Sequence, residues 1–332
     1  MHTQAQSFEI KPHGPPAPIE LELHGPSGLS LGDPAPAAPD DLPLPRCGRY
    51  RIGRLVGSGG MGRVYEAFDD LLARPVALKV MRADVPGSER RRFRREALLG
   101  ARLLHPGLVR VYDVGVDPGG DTEWMAMEYL PGTDLLRLLN SARERGQALE
   151  WSGIVRVLTQ ILGALQYLHD CQVVHRDLKP ANMFLSRDPN TRFMTTKLLD
   201  LGVALDLDGP TANPRADEVL CGDPNYIAPE QTRSPFVDHR ADLYSVGISL
   251  YELVTGRLPF EALGSAPVAD LLAAHRQIEP TPPSLLLPWG TPSALAARLD
   301  QVFARACAKR PEQRYASARD MQRALAAPLE GL

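Results

Sequence analysis

A short segment in the middle of the chain, His175-Arg-Asp-Leu-Lys-Pro-Ala-Asn182, combines side chains that could act on a phosphoryl group. Within it, Asp177 could accept the proton of a hydroxyl, and Lys179 could neutralise a phosphoryl group in transfer. Asn182 could bind a metal ion through its amide oxygen. Asp200, in the later triplet Asp-Leu-Gly, offers the carboxylate ligand that Mg²⁺ prefers. The spacing predicts a base, a cation and two metal ligands, Asn182 and Asp200, in one site.

A glycine-rich stretch upstream follows the pattern G-x-G-x-x-G-x-V from Gly57 to Val64. Glycines let backbone N–H groups close over phosphate oxygens because no Cβ stands in the way. Dinucleotide-binding folds carry the same spacing, but in them a helix begins directly after the glycines. Here residues 63–68 alternate like a strand, which disfavours that interpretation. A plain glycine hairpin stays open as the alternative for this motif alone.

Lys79 and Glu96 are the other upstream candidates. Lys79 lies in an apolar strand pattern, Val76-Ala-Leu-Lys-Val, where a single lysine usually points to water. Glu96, however, lies on the apolar face of a predicted helix, between Phe93 and Ala97. A carboxylate on a packed face is costly unless a cation and hydrogen bonds compensate it. We therefore expect a Lys79–Glu96 pair that presents its ammonium group to nucleotide phosphates.

The elements that must position these groups change type along the chain. Strand patterns come first, at residues 51–56, 63–68 and 75–80. Helical stripes follow, with apolar faces formed by Phe93, Glu96, Ala97, Gly100, Ala101 and Leu104, and by Ile154, Val157, Ile161, Leu165 and Leu168. Residues 243–254 are apolar nearly all round, as expected of a helix buried inside a large lobe. Strands first and helices after predict an α+β protein with two lobes.

Length and composition describe an ordinary globular protein preceded by a tail. The chain has 332 residues and a net charge of −3, which favours neither nucleic acid nor an anionic membrane as partner. Residues 1–49 are dense in Pro and Gly without periodicity, so they predict a disordered tail, with a docking arm as the alternative. Four widely separated cysteines suit a reducing cytoplasm, and no apolar run is long enough to cross a bilayer. We expect a cytoplasmic protein, and the sequence leaves its oligomeric state open.

These motifs, in this order, make the sequence resemble the eukaryotic-type (Hanks-type) protein kinase family, in particular its bacterial Ser/Thr branch. The resemblance covers residues 50–328. It implies a small N-lobe of antiparallel strands with one helix at 50–127, a hinge at 128–130 and a mainly helical C-lobe at 131–328. It also implies protein substrates, with transfer of the ATP γ-phosphoryl group to Ser or Thr hydroxyls in the presence of Mg²⁺.

The resemblance extends the predicted site from the reacting groups to the nucleotide. It implies catalytic roles for Asp177, Lys179, Lys79 and Glu96. It implies that ATP is surrounded by Val56, Gly57, Ser58, Gly59, Gly60, Gly62, Val64, Ala77, Lys79, Met127, Glu128, Leu130 and Phe184. Further matches imply that Asp242 anchors the catalytic loop. They also imply that Arg314 pairs with Glu230, the last residue of the triplet Ala-Pro-Glu.

The sequence departs from the family pattern at three places, and two of them are single substitutions. Leu201 replaces the usual Phe beside the metal-binding aspartate, an apolar exchange from which we expect little effect. Asp223 stands where the family has a threonine whose hydroxyl bridges Asp177 and Lys179. An aspartate there could still bind Lys179, but it adds a second carboxylate beside the base. We expect Asp223 to affect both the rate and the choice of substrate.

The third departure is the activation segment, residues 200–230, which contains one threonine, Thr211, and no serine. Asp217 and Glu218 occupy the stretch where related kinases carry phosphorylatable residues. We hypothesise that these two carboxylates pair with Arg176 and keep the segment ordered without phosphorylation. A solvated acidic loop without a regulatory role is the alternative.

The sequence favours a protein kinase over two other functions. A pseudokinase acting as a nucleotide-binding scaffold is the main alternative, and Asp223 is the residue that supports it. Pseudokinases usually lack the base, the lysine or the metal-binding aspartate, whereas this chain has all three. A small-molecule kinase of related fold is disfavoured by the full glycine loop and by the Ala228-Pro229-Glu230 segment.

Overall fold

The computed structural model describes residues 47–117, 122–187, 194–207, 221–264 and 266–327. The predicted tail comprises residues 1–49. Residues 1–46 of it lie outside the described residues. Strands dominate the first described stretch and helices the later ones, in the predicted order.

Five antiparallel strands form the N-terminal sheet, in the spatial order β1-β2-β3-β5-β4. They are β1 Tyr50–Ser58, β2 Gly62–Asp69, β3 Arg74–Met81, β4 Val111–Val116 and β5 Glu123–Glu128. The three strands predicted from the sequence are the first three of these. One face of the sheet buries a core of its own that includes Leu78 and Trp124. The register of β2 against β3 sets Val64 opposite Lys79, so the sheet fixes that lysine near the glycine-rich turn between β1 and β2.

Helix α1, Gly87–Arg102, covers the other face of the sheet. Its Phe93 and Ala97 pack in a cluster with Met125 of β5. Glu96 lies between them in sequence and is buried on the same side of the helix. The apolar periodicity thus predicted both the helix and the face that carries the carboxylate.

The end of the predicted α1 stripe is wrong. Ala101 and Leu104 are exposed, although both were assigned to the apolar face. The helix ends at Arg102, and the extended residue that follows, Leu103, enters the core instead. Leu104 is misassigned because the helical period stops applying once the backbone leaves the helix, whereas Ala101 lies in the last turn of α1 and is exposed there.

The described part of the C-lobe contains six α-helices. They are α2 Leu135–Glu144, α3 Trp151–Asp170, α4 Arg240–Thr255, α5 Val268–Gln277, α6 Ser293–Ala306 and α7 Ala318–Ala326. All the predicted core residues of α3 are buried. Helix α4 is buried on every side from Ala241 to Val254, as its apolar sequence predicted. The core around these helices continues to Leu99, Leu103 and Leu108 of the N-terminal half, so it joins the two lobes.

Short strands hold the segment that carries the candidate base. One sheet contains β6 Gly132–Asp134, β8 Met183–Arg187 and β9 Met194–Leu198, and a second pairs β7 Val173–Val174 with β10 Leu205–Asp206. Strand β7 ends directly before His175, and β8 begins directly after Asn182. Residues 129–131 are neither helix nor strand and connect β5 to β6. The protein has the predicted two-lobed α+β fold, with a loop between β7 and β8 that is fixed at both ends.

Candidate active site

Lys79 of β3 and Glu96 of α1 form an ion pair. The Nζ atom of Lys79 lies 2.5 Å from Oε2 of Glu96, and the two side chains are only 13% and 11% exposed. Burial raises the pKa of Glu96 to about 7, against the opposing charge of Lys79. Burial would lower the pKa of Lys79, but attraction to Glu96 and Asp200 outweighs it, so that pKa is raised. Lys79 therefore stays a cation.

Asp242, in the first turn of α4, anchors the loop between β7 and β8. Its Oδ2 accepts the backbone N–H of His175 and its Oδ1 that of Arg176, both at 2.9 Å. The Nε2 atom of His169 lies 2.8 Å from the same Oδ2. Burial would raise the pKa of Asp242, but these partners hold it below its usual value. Arg176 has a φ of +66°, a strained conformation that such an anchor can maintain.

Asp177, Lys179 and Asn182 lie close together on this anchored loop. Oδ2 of Asp177 lies 3.2 Å from Nζ of Lys179. The amide nitrogen of Asn182 donates to the carbonyl of Asp177 at 2.8 Å and to its Oδ2 at 3.1 Å. Because the nitrogen of Asn182 is used in this way, its oxygen is the atom left to bind a metal ion. Burial raises the pKa of Asp177, although Lys179 opposes the shift, and a raised pKa suits a proton acceptor.

Asp200 lies beside this group, after β9. The preceding residue, Leu199, donates its N–H to the carbonyl of Asn182 at 2.9 Å, which ties the two segments together. Asp200 itself has a φ of +61°, and its Oδ1 accepts the N–H of Gly202 at 2.9 Å. Burial would raise the pKa of Asp200, but the charge of Lys79 and the Gly202 N–H hold it below its usual value. Asp200 is therefore ionised, as a metal ligand must be.

Gly62, the first residue of β2, differs from Gly59 and Gly60 in the turn before it. A Cβ on Gly62 would lie 2.3 Å from the carbonyl oxygen of Val80, so the close approach of β2 to β3 requires glycine there. A Cβ on Gly59 or Gly60 would meet no described atom within 4 Å, so the described residues do not themselves require glycine at these two positions. A strand and not a helix follows the turn, which excludes the dinucleotide-binding interpretation.

Five of the apolar residues predicted around ATP lie in five different strands. In chain order they are Val56, Val64, Ala77, Met127 and Phe184. The register of β3 against β5 sets Ala77 opposite Met127. Glu128 ends β5, and its Oε2 lies 2.7 Å from Nζ of Lys197 in β9, across the connection that contains Leu130. Contact of these residues with a nucleotide stays a prediction.

The segment after residue 220 docks on the loop between β7 and β8 through residues that the sequence did not reveal. Gly222 has a φ of +105°, and a Cβ there would lie 2.6 Å from the carbonyl oxygen of Arg176, so this approach requires glycine. The amide nitrogen of Gln231 donates to the same carbonyl at 3.1 Å and faces the carbonyl of Cys221 at 3.5 Å. Gln231 directly follows the triplet Ala-Pro-Glu, but no spacing or periodicity marks it as important.

Asp223 is held beside the candidate base. Its backbone N–H donates to Oδ1 of Asp177 at 2.9 Å, and its Oδ2 lies 3.5 Å from Nζ of Lys179. Asn225, another residue that the sequence did not reveal, donates its backbone N–H and its Nδ2 to Oδ1 of Asp223 at 3.0 and 2.9 Å. Lys179 thus lies between two carboxylates.

Of the remaining predicted features, one is confirmed and one falls outside the described residues. Leu201 is buried in the C-lobe core, so it fills an apolar slot as predicted. Thr211, Asp217 and Glu218 lie outside the described residues, so the pairing of the two carboxylates with Arg176 stays a hypothesis.

Comparison with known proteins assigns the chain to a family. Residues 50–328 match the model that describes the protein kinase domain. The chain belongs to the protein kinase family. Its relatives place it in the bacterial Ser/Thr branch of the Hanks-type kinases. It is 39% identical over 288 residues to a probable serine/threonine-protein kinase of Streptomyces coelicolor, SCO3848. It is 38% identical over 274 residues to the serine/threonine-protein kinase pkn3 of Myxococcus xanthus.

Each match to a curated relative covers most of this chain but less than half of the relative. The first relative is matched over 86% of this chain and 40% of its own length, and the second over 81% and 48%. This kinase chain therefore spans less than half the length of these curated relatives. Among solved structures, the kinase domain of PknI from Mycobacterium tuberculosis matches with a TM-score of 0.61 and 29% identity. That match covers 83% of this chain and 95% of that chain. Within the described residues, no helix is both long and apolar enough to cross a membrane.

Proposed function

We propose that this chain transfers the γ-phosphoryl group of ATP to serine and threonine hydroxyls of proteins, with Mg²⁺ as the metal ion. One observation carries the proposal: the candidate base, two cations and a metal-binding carboxylate share one site. The charges of Lys79 and Lys179 both act on Asp200, and Asp177 lies 3.2 Å from Lys179. The names of the relatives support Ser/Thr as the acceptor class.

The side chains fit a nucleotide and a magnesium ion. Asp200 and Asn182 supply a carboxylate and an amide oxygen, and Mg²⁺ is commonly held by one or two protein groups together with substrate phosphates. Lys79, held by Glu96, would bind the α- and β-phosphates, and the N–H groups of the glycine-rich turn would close over them. The space around Gly59 and Gly60 supports this arrangement.

The adenine end of the site is proposed on the same basis. Residues 50–328 would form the kinase domain, with an N-lobe at 50–127, a hinge at 128–130 and a C-lobe at 131–328. The end of β5 at Glu128, followed by an irregular connection to β6, supports a hinge at this place. Val64 and Ala77, with Met127 opposite Ala77, would enclose the adenine ring, and Phe184 would cover it from the C-lobe.

The chemistry requires a proton acceptor and a stabilised phosphoryl group. Asp177 would orient the acceptor hydroxyl and take its proton, a contribution of roughly 10²–10⁴ in rate. Lys179 would neutralise charge on the group in transfer, and bound Mg²⁺ would neutralise charge on the phosphates. Positioning and charge stabilisation should contribute more than the base, because the transition state of phosphoryl transfer leaves the protein little covalent work.

The pseudokinase alternative is not supported. A scaffold that only binds nucleotide has no need of a base with a raised pKa or of a lysine beside it, yet Asp177 and Lys179 are both in place. The matched relatives are named as kinases. Asp223, the residue that suggested the alternative, binds Lys179 without displacing Asp177.

We further propose that protein substrates meet this kinase domain in the cytoplasm. The free state of all four cysteines, three of them buried, supports a reducing compartment. We propose neither nucleic acid nor a membrane as partner, because the net charge of −3 favours neither.

The direct test is phosphate transfer by the wild type and by Asp177→Asn. Each protein is incubated with Mg²⁺, labelled ATP and a generic basic protein, and the modified amino acids are identified. We expect label on serine or threonine and at least a 10²-fold loss in the variant. Asp70→Asn, an exposed N-lobe carboxylate, is the matched control and should keep wild-type activity. Label on tyrosine alone, or equal rates for Asp177→Asn, would refute the proposal.

A further inference from the structure

Asp223 places a second carboxylate next to the candidate base, and its orientation is fixed. Asn225 donates two hydrogen bonds to Oδ1, from its backbone and from its side chain. The backbone N–H of Asp223 donates to Asp177. Gly222, which no other residue could replace without a clash, brings this segment against the catalytic loop. The carboxylate is therefore not free to turn away from the site.

One ammonium group serves two carboxylates at this point. Nζ of Lys179 lies 3.2 Å from Asp177 and 3.5 Å from Asp223. The second distance is longer than a direct charged hydrogen bond of about 2.7–2.9 Å. The three side chains together carry one net negative charge, whereas a neutral residue at position 223 would leave Asp177 and Lys179 balanced.

Among the described residues, Lys179 is the cation that pairs with Asp223. His275 of α5 faces the backbone of Pro224 and Asn225, but burial lowers its pKa to about 4, so it is neutral. Glu252 of α4 accepts a hydrogen bond from Tyr226 at 2.5 Å and is already paired with Arg143 at 3.0 Å. The negative charge is thus left to interact with whatever enters the acceptor side of the site.

The charge is accessible from that side. The side chains of Lys179 and Asp223 are 23% and 28% exposed, more than the 13% of Asp177. An acceptor hydroxyl must come within hydrogen-bond distance of Asp177 to lose its proton. The residues that flank this hydroxyl then lie near Asp223, where a cation is attracted and an anion repelled.

We propose that Asp223 is a specificity-determining residue, which selects acceptor segments that carry Lys or Arg within two residues of the phosphorylated Ser or Thr. The inference rests on the proposed function, because it names the substrate class of the same site. It also specifies what is rejected: segments with Asp, Glu or a phosphorylated residue at those positions.

Peptides with one threonine acceptor test the inference. The positions up to two residues before and after the threonine carry Arg, Ala or Glu in turn. The values of kcat and KM are measured for the wild type and for Asp223→Asn. The asparagine keeps an oxygen for Asn225 but removes the charge. For the wild type we expect kcat/KM to be roughly tenfold higher with Arg than with Glu, through KM. In Asp223→Asn the ratio should fall to about two or less, while Asp70→Asn should keep the wild-type ratio.

The outcomes separate the inference from the proposed function. Transfer to all peptides at equal rates, or a preference for Arg that persists in Asp223→Asn, would overturn the inference and leave the kinase activity standing. An equal loss of kcat on every peptide in Asp223→Asn, with the KM values unchanged, would overturn it too, because Asp223 would then only position Lys179. Absence of any transfer by the wild type would refute the proposed function and the inference with it.

A second measurement covers the case in which Asp223→Asn does not fold. The wild type alone is compared on the Arg and Glu peptides at low and high salt. A preference that arises from the charge of Asp223 must shrink as ionic strength rises, since partly exposed charges are screened. A ratio that does not change with salt would overturn the inference.

Discussion

Arg314 and Glu230 form a bidentate ion pair in the C-lobe. Nη1 of Arg314 lies 2.6 Å from Oε1 of Glu230, and Nη2 lies 2.8 Å from Oε2. The side chain of Arg314 is fully buried and also donates to the carbonyls of Ala308 and Arg240. The pair therefore fixes the end of the segment that carries Asp223 to the chain before α7.

Replacement of Arg314 should destabilise the protein strongly. Arg314→Met leaves a carboxylate and two carbonyls without their donor, so we expect a loss of about 3 kcal/mol in the free energy of unfolding. The double variant Glu230→Gln/Arg314→Met should recover part of this loss, because no uncompensated charge is left. Arg323→Met is the control, since the ion pair of Arg323 is exposed and should contribute less than about 1 kcal/mol. Denaturant titration measures all three, and equal midpoints for Arg314→Met and Arg323→Met would contradict this account.

Lys79→Met should strongly reduce catalysis with little change in stability. The variant loses the cation proposed to hold the phosphates, so kcat/KM should fall by roughly 10²-fold or more. Glu96, whose pKa is already about 7, would become protonated in the buried site, and this limits the loss of stability. Steady-state kinetics and thermal unfolding check the two parts. Arg82→Met, which removes an exposed cation just after β3, should change neither. Wild-type kinetics in Lys79→Met would rule out the proposed role.

His275 should make the protein less stable in mild acid. Burial and Lys309 lower its pKa from 6.5 to about 4. The unfolded chain then binds this proton as pH falls below about 6.5, whereas the folded protein does so only near pH 4. The contribution of the neutral ring to the free energy of unfolding is therefore fully present above about pH 6.5. It is lost as pH falls towards 4, by about 2 kcal/mol between pH 7 and pH 5.

The measurement for His275 is a comparison of pH slopes. The free energy of unfolding is determined between pH 5 and pH 7.5 for the wild type and for His275→Gln. The variant should be less stable at pH 7, because Tyr244 loses its partner at 2.8 Å, but its stability should fall less towards pH 5. Parallel curves for the two proteins would show that His275 does not carry the acid sensitivity.

The fold and its order of elements could be predicted because each rests on local pattern. Short strand patterns marked the first three strands, and the 3.6-residue period marked α1 and α3. The uniformly apolar residues 243–254 indicated the buried helix α4. Glu96 was predictable for a related reason, because a carboxylate on an apolar face needs a cation, and the structure places Lys79 at 2.5 Å from it.

What the sequence could not reveal depends on contacts between distant segments. Asn225 and Gln231 act only because their segment folds back on the catalytic loop, and neither lies in a periodic or charged pattern. The reason for Gly62 was also hidden: the glycine pattern predicted room for phosphate, whereas the clash with Val80 shows a requirement of the sheet. Such requirements become visible only when the partner backbone is in place.

Phosphate transfer by Asp200→Asn is the most direct test of the proposed Mg²⁺-dependent kinase activity. Wild type and variant are given Mg²⁺ and labelled ATP, with the protein itself and a generic basic protein as acceptors, and thermal unfolding verifies that both are folded. We expect label on serine or threonine in the wild type and none in the variant, because the ionised carboxylate of Asp200 is the proposed metal ligand. Substantial transfer by a folded Asp200→Asn would mean that another group holds the metal, and would contradict the site described here.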